Sequence, residues 1–282
     1  MGESQMKAWF ITGASRGLGL EVARAALESG DRVVAAARKP EQVSAALSGF
    51  GDRLFTLELD VTDHAAVQAG VDQAVERFGR IDILVNNAGY GQLGAFEEIS
   101  ATAMERQFAT NVFGTMAVTR AVLPVMREQR SGHVFTVSSI AGLMGFEGAS
   151  AYTATKFALE GWAETLGLEV AQFGIKVTLV EPGFFRTDFL DPSSASYGDV
   201  EVSDYADYSA AQKAGYDAAN HNQTGDPVKF GKAVVALAAA DEPPVRFAAG
   251  PDAYEIVTNR AETLRVNAEK WRDLSVSTDF QS

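Results

Sequence analysis

From its start the chain alternates between short apolar, β-prone runs and longer stretches with helical spacing. This rhythm limits what it can fold into more than any other feature. "AWFIT" at 8–12 ends on a glycine, and residues 17–28 follow with Leu18, Val22, Ala25 and Ala26 on a helical period. "RVVAAA" at 32–37, "RLFTLELD" at 53–60, "IDILVNN" at 81–87, "HVFTVSS" at 133–139 and "IKVTLVEPG" at 175–183 read as further strands. Helical patterns fill 64–78 and 101–127 and follow the fifth strand. Nearly continuous hydrophobicity is what a strand buried on both faces requires. Strands alternating with helices predict an α/β fold, a doubly wound parallel sheet with right-handed crossovers. From Phe184 to about Pro227 the rhythm stops, and a stretch this long without an apolar period is expected to be a substrate lid. A helix at about 227–240, a last strand at 245–250 and a C-terminal extension over 254–282 complete the reading. No linker interrupts it, so 1–282 is expected to be a single domain.

Composition removes several function classes. A net charge of −13 over 282 residues disfavours nucleic acid as a partner, because such proteins carry a basic face. The absence of cysteine excludes thiol catalysis, disulfides and cysteine-based metal sites. The three histidines, His64, His133 and His221, show no paired spacing, so no metal site is expected. His64 reads as a surface residue and His133 as a turn residue. No run reaches the roughly 18 apolar residues of a membrane span, and the N-terminus lacks a signal-peptide core. A cytoplasmic protein without a membrane partner is the expectation.

"TGASRGLG" at 12–19 lies between the first strand and the first helix. Gly13, Gly17 and Gly19 permit positive φ and close approach of a phosphate to the backbone. The helix that follows offers free N–H groups and a positive dipole end. The loop, with Ser15, Arg16 and Leu18, is therefore expected to cradle a dinucleotide pyrophosphate. An acid closing the second strand would select NAD through the ribose 2′-hydroxyl. Here that strand ends in Arg38, and Arg16 sits inside the loop. Two guanidiniums suit a 2′-phosphate, so NADP(H) is the expected cofactor, ahead of NAD(H).

Further along come Asp60-Val61, "NNAG" at 86–89, Asn111, "SS" at 138–139, Tyr152-x-x-x-Lys156 and "PG" at 182–183. Taken in order with the glycine loop, these segments resemble the short-chain dehydrogenase/reductase family over roughly residues 6–190. "PGFFRTDF" and the long tail are similar to a branch containing 17β-hydroxysteroid dehydrogenases. The resemblance implies a Rossmann fold, oxidoreductase activity on a carbonyl or alcohol, and a homodimer or homotetramer packed through long helices. It implies adenine contacts from Asp60 and Val61, contacts on the adenosine ribose side from Asn87 and Gly89, and nicotinamide contacts from Pro182, Gly183, Phe185 and Thr187. It also implies a catalytic tetrad of Asn111, Ser139, Tyr152 and Lys156, with Ser139 and Tyr152 on the substrate and Tyr152 and Lys156 on the cofactor ribose.

The chemistry is consistent with that assignment. Reducing a carbonyl puts negative charge on oxygen, so a proton donor must stand within hydrogen-bond reach. Tyr152 is the expected acid. Lowering a phenol from about 10 by about three units takes roughly 4 kcal/mol. An ammonium about 4 Å away at an effective dielectric of 20 supplies that amount, and Lys156 lies one helical turn on. Ser139 is expected to stabilise the developing oxyanion, with Ser138, its neighbour, facing the other way. Phe184, Phe185, Phe189, Tyr197, Tyr205 and Tyr208 are expected to cover an apolar substrate. Tyr90, Gln92, Leu143, Met144 and Phe146 are expected to line the same pocket. The rival function is a non-catalytic dinucleotide-binding regulator on the same fold, which has no need of a tyrosine–lysine pair.

Overall fold

The computed structural model describes residues 6–280. Nine strands occur among them: β1 Ala8–Thr12, β2 Arg32–Ala37, β3 Leu54–Glu58, β4 Ile83–Asn86, β5 Gly91–Gln92, β6 Gly132–Val137, β7 Ile175–Pro182, β8 Ala195–Ser196 and β9 Arg246–Ala249. The helices are α1 Gly17–Glu28, α2 Pro40–Ala46, α3 His64–Phe78, α4 Ala101–Phe108, α5 Thr115–Gln129, α6 Ser150–Val170, α7 Ala206–Ala219, α8 Pro227–Ala239, α9 Pro251–Lys270 and α10 Arg272–Val276. Seven strands form one sheet in the order β3-β2-β1-β4-β6-β7-β9, and every pairing is parallel. β5 and β8 form a separate two-stranded parallel pair.

Side chains along each strand alternate between two layers. Phe10, Val34, Leu84, Val134 and Leu179 face Val67, Val71, Val118, Val122 and Leu166 of α3, α5 and α6. Trp9, Ile11, Val33, Val85, Phe135 and Val180 face Val22 and Ala26 of α1 and Phe230 and Val234 of α8. With both faces covered, the strands need apolar residues at nearly every position, which is why the sequence shows runs and no alternation.

Two expectations need correction. The stretch 184–227 is not irregular throughout: it holds β8 and the fourteen-residue helix α7. None of α7's residues is buried, so it carries no apolar period to read. His133 is not a turn residue. It lies inside β6 at 4% exposure, with its ring 3.9 Å from that of Phe135. His64 is exposed at the start of α3, as read. No helix among the described residues is long and apolar enough to cross a membrane.

The order of strands places the site. β1 connects outward to β2 on one side, and the chain then returns to β4 on the other. The crevice at the carboxyl ends of β1 and β4 is the topological switch point where such sheets take ligands. Gly13, Arg38, Asp60, Asn87, Ser138-Ser139 and Gly183 all follow the carboxyl ends of successive sheet strands.

Candidate active site

A cleft of about 1520 Å³ runs along that edge. This exceeds the 300–1,000 Å³ usual for a single small ligand, so there is room for a dinucleotide together with a substrate. Its lining includes Gly13, Ser15, Arg16, Gly17, Leu18, Arg38, Asp60, Val61, Asn87 and Gly89 at one end. At the other end it includes Ser139, Tyr152, Lys156, Pro182, Gly183, Phe185 and Thr187. Two of the residues expected from the sequence do not line the cleft, Gly19 and Asn111.

Gly13 and Gly17 adopt φ of 65° and 56°, the left-handed region that favours glycine. A Cβ on Gly13 would stand 2.9 Å from Ala88 Cα, so the β1–α1 turn and the β4 loop interlock. Gly19 serves packing: a Cβ there would overlap the Asn87 carboxamide, whose Nδ2 donates to the carbonyls of Thr12 (3.1 Å) and Gly13 (3.0 Å). The N-terminus of α1 has no side-chain cap and no acidic residue in its first turn. Its open N–H groups and uncompensated dipole suit a phosphate anion. That donor set, with basic groups at the β2 end, fits a nicotinamide dinucleotide.

Among the basic groups, Arg16 lines the cleft and donates to Ser193 Oγ and, at 2.8 Å, to the Ser193 carbonyl, on the same lining. Arg38 is exposed at the rim, and Lys39 beside it also lines the cleft. Lys39 was not singled out, although it sits in the same "ARKP" segment. Asp60 accepts from the Thr62 backbone N–H (2.9 Å) and hydroxyl (2.7 Å). Burial pushes its carboxyl up, but the Thr62 bonds and the Arg38 charge outweigh this and hold it below the usual range.

At the other end, Ser139 Oγ accepts from Ala141 N–H at 3.0 Å, and its hydroxyl is near enough to that of Tyr152 to favour the phenolate. Ser138 faces the other way and is buried at 2% exposure. Lys156 Nζ donates to the Val137 carbonyl at 2.9 Å and stands 5.5 Å from the centre of the Tyr152 ring. The expected lowering of the Tyr152 phenol is not found. Burial pushes it up to about 12, opposed by the Ser139 hydrogen bond. Burial also brings Lys156 down to about 8, opposed by the Glu160 charge. The ammonium is directed to a backbone carbonyl and lies over the ring, so desolvation dominates both groups.

Asn111 lies in a π-helical turn, Ala109–Gly114, between α4 and α5. Its Oδ1 accepts from Tyr90 N–H (3.1 Å), and its Nδ2 donates to the Tyr90 carbonyl (3.0 Å) and Thr155 Oγ1 (3.3 Å). It pins the β4–β5 loop beneath the cleft, a role that sequence position alone does not reveal. Asp252, at the start of α9, also went unread: it accepts from Phe184 N–H at 2.6 Å and braces the "PG" turn.

The lid expectations resolve in part. Phe184, Phe185, Phe189, Tyr90, Gln92 and Phe146 line the cleft, and α7 adds Gln212 and Tyr216. Phe185 also packs into the core against Phe230, 5.2 Å between ring centres. The rings of Tyr205 and Tyr208 meet edge to face outside the cleft lining, and Tyr205 donates to Glu97 at 2.7 Å. Tyr197, Leu143 and Met144 are not part of the lining either. Asp191 accepts from Asn220 (2.6 Å) and pairs with His221 (3.0 Å), tying the end of α7 to the loop before β8. With Asp188 these form a part-exposed trio of metal-capable groups that histidine spacing did not anticipate.

Comparison with known proteins agrees with this geometry. Residues 7–215 match the family model described as short chain dehydrogenase. The chain belongs to the short-chain dehydrogenase/reductase family. It is 42% identical over 277 residues to Oxidoreductase BOA17 of Botryotinia fuckeliana (strain B05.10), covering 96% of this chain and 99% of that one. It is 39% identical over 241 residues to 3-ketodihydrosphingosine reductase of Bacteroides thetaiotaomicron, covering 86% and 87%. A short-chain dehydrogenase from Streptomyces avermitilis has a TM-score of 0.90 at 39% identity, over 98% of this chain and 100% of that one. ElxO with NADP bound has a TM-score of 0.72 at 27% identity, over 86% and 96%. A family member from Burkholderia phymatum in complex with NAD has a TM-score of 0.82 at 25% identity, over 95% and 97%. The chain is an oxidoreductase of this family, and its cofactor is a nicotinamide dinucleotide.

Proposed function

We propose that the protein is an NADP(H)-dependent reductase of an apolar ketone or aldehyde, which also runs as the reverse alcohol dehydrogenase. The observation that carries this reading is the convergence of Ser139, Tyr152 and Lys156 on one cleft with the open N-terminus of α1. A bound NADPH supplies the hydride. Tyr152, its phenol protonated at neutral pH, gives its proton to the carbonyl oxygen as charge develops there. Ser139 donates a second hydrogen bond to that oxygen. Lys156 stays within one turn of Tyr152 and holds the cofactor ribose, while Asn111 positions the floor of the site. Gly13, Ser15, Gly17 and Leu18 hold the pyrophosphate, and Asp60, Val61, Asn87 and Gly89 hold the adenosine. Pro182, Gly183, Phe185 and Thr187 hold the nicotinamide side.

Arg38, helped by Lys39, takes the 2′-phosphate, and Arg16 joins only by leaving Ser193. Phe146, Phe184, Phe189 and Leu190 favour a bulky apolar substrate under a lid spanning 184–227. A relative named 3-ketodihydrosphingosine reductase supports this reading, and a substrate of the kind taken by the 17β-hydroxysteroid dehydrogenases that the sequence resembles would fit it. A homodimer or homotetramer in the cytoplasm is part of the same reading. Exposed Phe113 in the π-helical turn and exposed Phe157 and Leu168 on α6 support the assembly, and light scattering gives its mass.

The test is NADPH oxidation across a panel of apolar ketones and aldehydes. Tyr152→Phe is expected to lower kcat at least ~10³-fold with NADPH affinity within ~3-fold of wild type, because only the proton donor is lost. Arg38→Asp is expected to reduce the NADP/NAD ratio of kcat/KM by ~10-fold or more, since a charge-assisted bond is replaced by repulsion. Tight NADPH binding without turnover of any carbonyl would instead identify a dinucleotide-binding regulator.

A further inference from the structure

Beneath Lys156 lies a cluster of charged groups that the proposed reaction does not use. Glu160 is one turn further along α6 and 4% exposed; Glu181 on β7 is 1% exposed. Arg246, at the start of β9, lies between them. Its Nη1 donates to both Glu160 and Glu181, the latter at 3.0 Å, and its Nη2 donates to Glu164 at the rim at 2.6 Å. Glu160 Oε2 is thus paired, while Oε1 is buried and has no hydrogen-bond partner, as is Ser138 Oγ nearby. Gly142 makes the close packing possible: a Cβ there would stand 2.7 Å from Ser138 Oγ and 2.9 Å from Glu160 Oε1. Lys156 and Glu160 are four residues apart on one helix, so their side chains share a face. A carboxylate this deeply buried is costly unless it has work to do or a good partner.

We infer that Glu160, braced by Arg246, whose guanidinium Glu181 shares, is a positioning residue for Lys156, supplying a buried counter-charge that favours its ammonium beside Tyr152. The inference rests on the proposed function for its meaning and on the cluster's geometry for its content. Four charged groups surround Glu160: Arg246 from β9 and Glu181 from β7, with Lys156 and Glu164 one turn away on either side along α6. Lys156 and Glu160 form no ion pair within 4 Å, the ammonium resting on the Val137 carbonyl, so the charge acts through space. With both buried acids ionised, the two cations balance them, and neutrality is what a desolvated cluster favours. Burial pushes Glu160 up to about 7, so its charge builds as pH rises toward the value near 8 where Lys156 titrates. The counter-charge is therefore present where Lys156 would otherwise lose its proton.

The experiment is direct titration of Lys156 by NMR of ¹³Cε-labelled lysine, its resonance identified with Lys156→Met. Glu160→Gln keeps shape and hydrogen-bonding capacity but removes the charge. It is expected to lower the Lys156 midpoint by about half a unit or more and to move the alkaline limb of kcat/KM the same way. Glu160→Asp restores the charge and is expected to stay within about 0.3 unit of wild type, and Glu164→Gln, at the exposed rim, is expected to leave the midpoint in place. An unmoved midpoint in Glu160→Gln, or an equal fall in Glu160→Gln and Glu160→Asp, would overturn the inference. The NMR readout needs no turnover, so a failed carbonyl panel sinks the proposed reaction and leaves this test standing.

Discussion

His133 shows how far one side chain's surroundings can depart from what its neighbours in sequence suggest. Thr178 commits its hydroxyl proton to the Pro244 carbonyl at 2.8 Å, so the His133 Nε2 contact at 2.9 Å is best satisfied with the proton on His133. Burial, with the charges of Lys176 and Lys7 adding to it, brings the imidazole down to about 3. The unfolded chain takes up a proton below about 6.5 that the folded chain refuses. Stability from this residue is whole above 6.5 and is lost as pH falls toward 3. Between pH 7 and pH 5 the loss is expected to be about 2 kcal/mol. His133→Gln, which cannot be protonated, is expected to show a shallower acid dependence by that amount in urea unfolding at the two pH values. Equal slopes would count against the buried neutral form. Nothing in "SGHVF" signals this, because the partner Thr178 is 45 residues away. Tyr152, Lys156 and Ser139 were legible because the resemblance to the family singled them out and their spacing along one helix and one strand end matched its pattern.

At the scale of elements, the cradle depends on helix α1 being held at the right height. Its support is α8, and the two approach so closely that a Cβ on Gly231 would overlap the Glu21 carbonyl. Gly231→Ala is expected to cost about 2 kcal/mol through this overlap. It should also weaken NADPH binding, because a push on Glu21, in the second turn of α1, moves the helix that carries the open N–H groups. Thermal unfolding and fluorescence titration with NADPH check both effects. Unchanged stability would mean that the helices separate freely. The seven strands of the main sheet and α3 were readable to within a residue or two, because burial on both faces writes hydrophobic runs into the chain, whereas the two-residue strands β5 and β8 left no such run. α2 and α7 were not: α2 buries only Val43 and α7 buries nothing, so neither carries a periodic signal. The π-helical turn at Asn111 was equally silent, since one extra residue in a turn leaves composition unchanged.

For the whole molecule, the sheet and its two helical layers form the body, and α9 leaves it as an arm. Asp252 and Ala253 anchor its first turn, but every described residue after Arg260 is exposed, Leu264, Trp271 and Leu274 included. Deleting residues 262–282 is expected to shift the unfolding midpoint by no more than ~2 °C, because every described residue among them is exposed. A larger fall in differential scanning calorimetry would contradict the exposed arm. By itself the sequence determined the α/β class, the order of strands and helices, the cradle between β1 and α1, and the Tyr152–Lys156 pair. Each is a local pattern, set by backbone period, glycine conformation or spacing within one element. Only the tertiary structure decided that Arg16 pairs with Ser193, that burial outweighs the Ser139 hydroxyl at Tyr152, and that Glu160, Glu181 and Arg246 meet beneath the site. Those outcomes depend on desolvation and on partners brought together from distant strands, and neither is encoded in the spacing of residues along the chain.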